Sequence, residues 1–346
     1  MKVIDDIHGP AYIGDHGQIV LVASPTSAFE VVMTRVLAFD VGKSGCRVAL
    51  FVDGRRVKGA ETWGARGLAD RDGLESTLTA IRSAADAVGA EQVDAVAAGV
   101  AGYAQAAGAG GELVDALAES HRTRRVAVAS DMTTSHAGSL AGRPGVVVAA
   151  GTGSVALAIA ANGITAVADG WGYLLGDNGG GFALGRRGLE SALRARDGRG
   201  GSEVLRVLAQ RRYGNLDRLP RVVHRSSNPA RTVAAFARDV VSAARDGDEW
   251  SSILCAESGV ELARTAAAAA KRAMPDDRAV EISTTGGLFD AGDLVSRPFA
   301  SEARRLLPGC RLVPRAGDAC DGGLLLATRD DLPHESLIRR YEGVPA

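Results

Sequence analysis

The chain has 346 residues, 46% of them hydrophobic and 23% charged, and 40 Lys and Arg against 41 Asp and Glu leave a formal net charge of −1. That length predicts two domains of roughly 150 residues each with a cleft between them. The charge balance offers no basic stripe for nucleic acid, and no apolar run approaches the roughly 20 residues of a spanning helix.

No basic-then-apolar leader opens the sequence, so a cytoplasmic protein with no membrane or nucleic-acid partner is expected. Cys46, Cys255, Cys310 and Cys320 form no CxxC pair and have no His at metal-ligand spacing, which predicts reduced thiols in place of a zinc or iron–sulfur site. Residues 1–32 carry scattered His, Gly, Pro and Asp with one short apolar run, Ile19–Ala23, and are expected to be a disordered extension outside the core.

From Met33 the pattern changes. Arg35–Asp40 reads as a buried strand, Val41–Gly45 as a glycine-rich turn and Cys46–Val52 as a second strand. Asp53–Gly54 tolerates the positive φ of a tight hairpin turn, and a third strand follows near Val57–Trp63. The same order returns about 110 residues later as Val146–Ala150, the turn Gly151–Ser154, Val155–Ala160, Asn162–Gly163 and Ile164–Ala168. Two copies of one unit predict an α/β fold of two related lobes. The first is expected over 33–140 and the second over 141–328, with a tail, 329–346, returning to the first lobe as a helix.

Within the first lobe, helix 75–88 leads to strand Val93–Val100, Gly108–Gly111 reads as a loop, and strand Arg125–Ser130 ends at Asp131 before a helix from about Thr133. In the second, helices dominate from Gly185 to about Met274, including Glu261–Arg272. Strand Ala279–Thr284, helix 298–307, strand Arg311–Pro314 and helix Gly322–Thr328 complete it.

The first turn, Gly42-Lys43-Ser44-Gly45, joins two antiparallel strands, unlike a Walker loop, which opens a helix. Its backbone N–H groups can nest a phosphate with charge added by Lys43 or Arg47, and Asp40 at the strand end can hold Mg²⁺ through water. The second turn, Gly151-Thr152-Gly153-Ser154, offers another nest with two hydroxyls, placed across the cleft by the duplication. The alternative is two ordinary hairpin tips.

Asp131 is either a helix cap or, at the C-terminal edge of a parallel sheet where ligands collect, an acceptor for a hydroxyl proton. The glycine-dense run Gly170–Gly181 suits a sugar, with Trp171 and Gly172 against the ring and Asp177 and Asn178 on hydroxyls; otherwise it is a close-packed turn with Trp171 in the core. Gly286 and Gly287, and Gly317 with Asp318, place small residues where a base and ribose can approach. His136 reads as a surface helix residue and Asp246–Glu249 as a solvated charge run.

In this order the motifs resemble the N-acetylglucosamine kinase branch of the BadF/BadG/BcrA/BcrD ATPases, within the sugar kinase, Hsp70 and actin superfamily, from about Met33 to Thr328. Asp40-Val-Gly-Lys-Ser resembles the first phosphate motif, Ser130-Asp131 the catalytic aspartate, Gly151-Thr-Gly-Ser the second phosphate motif, Gly170-Trp-Gly with Gly176-Asp177 the sugar loop, and Thr285-Gly-Gly the adenosine motif. The resemblance implies an actin-like two-lobed ATPase, a homodimer, ATP and Mg²⁺, and an amino sugar phosphorylated at its 6-hydroxyl with Asp131 as base.

Departures fall at Asn178 and Gly180, where the family loop has Glu and Ser, at Lys43 in place of a Gly, and at Val155, where the mammalian kinase has an Asn on the sugar. A non-catalytic sugar or nucleotide sensor is one rival. An ATPase activator of 2-hydroxyacyl-CoA dehydratases is another, disfavoured by the absence of paired cluster cysteines.

Overall fold

The computed structural model describes residues 34–341 apart from 91, 107 and 278, together with a short pairing of β1 (Tyr12–Ile13) and β2 (Ile19–Val20). The expected disordered extension over 1–32 otherwise lies outside the described residues, as does the end of the tail from 342.

β3 (Arg35–Val41) is apolar along most of its length because both of its faces are covered. Leu37, Phe39 and Val41 face one cluster of buried side chains and Val36 and Ala38 another. β4 (Gly45–Val52) and β5 (Arg55–Trp63) follow as antiparallel neighbours, turning at Asp53 and Gly54 with φ of 48° and 74°. α1 (Gly73–Val88) leads to β6 (Ala95–Val100), and α2 (Ala109–His121) to β7 (Arg125–Ser130); both strands run parallel to β3. The two helices cover the Leu37 face through Ile81, Ala84, Leu113 and Leu117.

α3 (Asp131–Ser139) then crosses to a second sheet, opened by β8 (Gly145–Ala150), β9 (Ser154–Ile159) and β10 (Thr165–Asp169). A helical block follows: α4 (Gly181–Arg196), α5 (Glu203–Tyr213), α6 (Leu219–His224), α7 (Pro229–Ala234), α8 (Ala237–Arg245) and α9 (Glu249–Ala273). β11 (Glu281–Thr285), α10 (Asp293–Leu306), β12 (Arg311–Leu312), α11 (Ala319–Thr328) and β13 (Arg339–Arg340) end the chain. The sheet orders are β13-β7-β6-β3-β4-β5 and β10-β9-β8-β11-β12. Setting β3 to β7 against β8 to β12 superposes the two orders, so the repeat read from the sequence is a repeat of topology.

Several element boundaries differ from the sequence reading. α2 starts at Ala109, inside the expected loop, and α10 starts at Asp293 and runs through Pro298. α9 starts at Glu249 because Asp248 caps it, accepting from the Ser251 N–H at 2.9 Å, so the 246–249 run is a helix start and not merely solvated charge.

The lobe boundary also moves. α11, expected with the second lobe, buries Cys320, Leu326 and Ala327 against Val36, Ala38 and Ala97 of the first sheet. The tail carries a strand where a helix was expected: β13 pairs antiparallel with β7 after a 3-10 turn at Glu335–Leu337. Edge pairing satisfies β7, and Arg340 is held by the Leu326 and Arg329 carbonyls.

α3 and α11 thus tie the two sheets together, and they cross in backbone contact. A Cβ on Gly138 would lie 1.8 Å from the Asp318 carbonyl oxygen, and one on Gly322 would lie 1.9 Å from that of Thr134. Each helix has its glycine where the other's backbone passes. Gly322→Ala should therefore cost about 3 kcal/mol or more, since backbone atoms cannot swing aside as a side chain does. A melting temperature on the order of 10 °C lower would register that cost, and an unchanged one would show that the helices separate freely.

Candidate functional site

β3 and β7 end on the same edge of the first sheet, which sets Asp40 and Asp131 in one electrostatic neighbourhood. At the start of α3 the cap is Ser130, not Asp131. Ser130 has extended backbone and its Oγ accepts from the Thr133 N–H at 3.0 Å. Asp131 is left as the first helical residue, its Oδ1 accepting from the adjacent Met132 N–H at 2.9 Å. Burial, then the charge of Asp40, outweighs that bond and the attraction of Lys43 and pushes the Asp131 carboxyl up to about 6. A carboxylate poised near neutrality is what proton acceptance requires.

Asp40 is almost fully buried and its Oδ2 accepts from Arg47 of β4 through Nε at 3.0 Å and Nη2. Burial prevails over that pair and raises its pKa. The turn beside it closes with the Gly42 N–H on the Gly45 carbonyl at 2.9 Å, and Lys43 reaches Asp70 at 3.2 Å. Ser44 lies exposed at its tip.

The second turn is built in the same way, with the Gly151 N–H on the Gly153 carbonyl at 2.9 Å. The start of α4 docks on it: the Gly181 and Phe182 N–H groups donate to the carbonyls of Gly151 and Thr152 at 2.8 and 2.7 Å. Ser154 is buried and its Oγ donates to the Asn178 carbonyl at 2.8 Å. The close approach of the two segments accounts for Gly180, because a Cβ there would stand 2.7 Å from the Gly153 backbone and a Ser would not fit.

The loop 170–178 is fastened to that turn. Asp169, which the sequence reading missed, accepts from the Asp177 and Asn178 N–H groups at 2.7 and 2.9 Å. Asp177 turns back to accept from Gly172 N–H at 3.3 Å, and it lies so close to Gly153 that a Cβ there would be 2.2 Å from Oδ2. Burial raises its pKa. Tyr173 packs on Phe182 with ring centroids 4.7 Å apart, while Trp171 is 75% exposed and so is not a core residue. The signal for Asp169 was present: an Asx before Gly-Trp at a strand end can take left-handed backbone, and its φ is 61°.

Gly286 sits against the end of β8, its φ of 98° allowing Leu288 N–H to reach the Ala150 carbonyl at 3.1 Å, with Gly287 next in line. Gly317 precedes Asp318, whose carboxylate is already engaged. Asp318 caps α11 in a capping box with Asp321 and pairs with Arg56 of β5 at 2.6 Å. Burial favours its neutral form, but Arg56 and the capped N–H groups outweigh it and hold the carboxyl below its ordinary value.

His136 is a correction. It is completely buried, bonded to His334 at 2.9 Å and to the Gly145 carbonyl at 3.0 Å, because α3 runs between the sheets and exposes no face there. All four cysteines are free thiols. Among the described residues no helix is long and apolar enough to cross a membrane, and no cluster of three or more His, Cys, Asp or Glu side chains could hold a metal.

Two mixed sheets of duplicated order, joined by crossed helices and carrying a glycine turn at the same place in each, define an ATPase of the actin-like fold. Residues 39–300 match the BadF/BadG/BcrA/BcrD ATPase family, and the chain belongs to it. It is 25% identical over 205 residues to an N-acetylmuramic acid/N-acetylglucosamine kinase of Clostridium acetobutylicum, covering 59% of this chain and 67% of that one. A crystal structure of a candidate N-acetylglucosamine kinase from Chromobacterium violaceum is similar with a TM-score of 0.70 at 28% identity, over 86% of this chain and 99% of the other. A ROK family glucokinase from Streptomyces griseus, solved with glucose and AMPPNP, shares the fold at a TM-score of 0.54 and 17% identity, over 85% and 98% of the two chains.

Proposed function

We propose that the chain is an ATP-dependent kinase of an N-acetylglucosamine-type amino sugar, phosphorylating the 6-hydroxyl with Asp131 as general base. The observation that carries this reading is the state of Asp131: relieved of capping by Ser130 and raised toward neutrality by burial and by Asp40. The kinase relatives named above support it.

In this reading the backbone of Gly42–Gly45 and of Gly151–Ser154 cradles the ATP phosphates, with Lys43 adding charge. The backbone at Gly286, Gly287 and Gly317 would line the adenosine, with Asp318 holding the start of α11 beside them. Trp171, Gly172, Asp177 and Asn178 hold the sugar, and Asp131 takes the proton of the attacking hydroxyl. Positioning and charge stabilisation supply most of the rate, as in other phosphoryl transfers. Mg²⁺ would be held through water by Asp40, which suits a cation that keeps its waters and binds one or two carboxylates plus phosphates. Asp40 fits, because both Arg47 contacts fall on Oδ2. That ion would neutralise charge on the transferred group.

A coupled ADP-release assay over a panel of hexoses and hexosamines tests the assignment. N-acetylglucosamine or a close 2-amino hexose should be used better than glucose. Glucose equal to or better than both amino sugars would overturn the acceptor, and no sugar-dependent ADP release at all would overturn the kinase.

A further inference from the structure

The histidine pair lies outside the chemistry just described, yet it is wired to the helix that carries Asp131. His136 stands on α3, and His334 stands in the segment between α11 and β13. Their rings meet edge to face with centroids 4.9 Å apart, and neither is exposed to solvent. β13 in turn lies on β7, the strand that delivers Asp131. The contacts form a closed circuit from β7 through Asp131 and α3 to His136, across to His334, and back along the tail to β7.

The hydrogen-bond pattern fixes the protons. Gly145 offers a carbonyl oxygen, which only accepts, so His136 carries its proton on Nε2. In the neutral ring Nδ1 is then an acceptor, and His334 must donate to it from Nε2. His334 Nδ1 is left with a lone pair, buried and without a partner.

A third proton has no place to go. On His136 Nδ1 it would oppose the His334 N–H, and on His334 Nδ1 it would be a buried charge with no acceptor. Among the described residues no carboxylate stands ready to compensate. Asp131 is the only charged residue on α3; Glu281, beside Gly145, is taken by Arg143 and Arg311; in the tail Asp331 pairs with Arg329, and Glu335 and Asp330 with Arg340. Burial accordingly lowers the two histidines, to about 4 for His136 and about 3 for His334.

We propose that His136 and His334 form a clamp, closed only while both are neutral, that holds the Asp131 helix in register with β7, with His334 as a positioning residue. This rests on the kinase reading only for its effect on turnover. Because the folded-state pKa values are lowered, the clamp contributes fully above the unfolded value near 6.5 and is lost as pH falls from there toward about 4.

The test compares wild type, His334→Gln and His334→Phe by amide hydrogen exchange of α3 and melting temperature at pH 7.5 and 5.5, and by kcat and ATP KM at pH 7.5. Gln can donate its amide to neutral His136 or turn its oxygen to a protonated one. It should keep kcat within about twofold and shrink the loss of α3 protection on acidification. Phe leaves Nδ1 without a donor, so α3 should exchange faster at pH 7.5 and kcat should fall about tenfold with ATP KM within about twofold.

Wild-type exchange and kcat in the Phe variant would overturn the clamp, as would a Gln variant as impaired as Phe or as acid-sensitive as wild type. If the Phe variant does not fold, the acid response of the Gln variant decides alone. Exchange and melting need no turnover, so a protein with no kinase activity would still report on the clamp.

Discussion

Asp131→Asn should lower kcat by about 10²–10⁴-fold, the usual loss for a general base, while ATP and sugar still bind. The same variant should melt a few degrees higher. The two effects share one cause, because burial and Asp40 raise the Asp131 carboxyl from 3.8 to about 6. A carboxyl raised in the folded state adds stability that is fully present below its unfolded value and is lost as pH rises through about 6. At pH 7.5 the ionised group is therefore a cost to the unliganded fold, on the order of 1–3 kcal/mol, which the amide removes.

The wild-type kcat/KM should fall as pH drops through about 6, because the base is then protonated, and this acid limb should vanish from the residual activity of the variant. A helix cap predicts the opposite pair of results: nearly normal turnover and a lower melting temperature. Ser130 already fills the cap position, so a loss of stability in Asp131→Asn would show that Asp131 supports the helix start despite it.

What could be read in advance follows from how local each signal is. The two hairpin units were legible because apolar alternation, an Asx-Gly turn and a glycine tip are all set by neighbours in sequence, and Asp53, Gly54 and Gly163 take the positive φ that their types permit. Asp131 at the end of β7 was legible for the same reason. His136 was misread because its partner lies 198 residues away and nothing in the Asp131–Ser139 helix announces a second buried imidazole. The reach of α11 to the first sheet and the strand in the tail were likewise decided by tertiary partners. Asp318 was read as a ligand group because a Gly-Asp after a strand looks available, whereas Arg56, 262 residues earlier, engages it.

The loop around Asp177 poses the sharper question, since one carboxylate is asked to hold the loop and the sugar. Its Oδ1 accepts from the Gly172 N–H, and Gly153 leaves room for the other oxygen at the second phosphate turn. Asp177→Ala removes both functions and should raise the sugar KM at least tenfold or abolish turnover, with ATP KM within about twofold, because the Gly151–Ser154 turn keeps its contacts to α4.

Asp177→Asn separates the two functions. The amide oxygen can still accept from Gly172, so the loop stays latched, but the charge that strengthens a bond to a sugar hydroxyl is gone. Hydrogen bonds to charged groups contribute about 1.5–3 kcal/mol against about 1 kcal/mol for neutral ones, so the Asn variant should lose about two- to thirtyfold in sugar KM. A sugar KM that rises in Ala but not in Asn would make Asp177 a latch for the loop, leaving Trp171 and Asn178 to hold the sugar, and no change in either variant would move the acceptor away from this loop altogether.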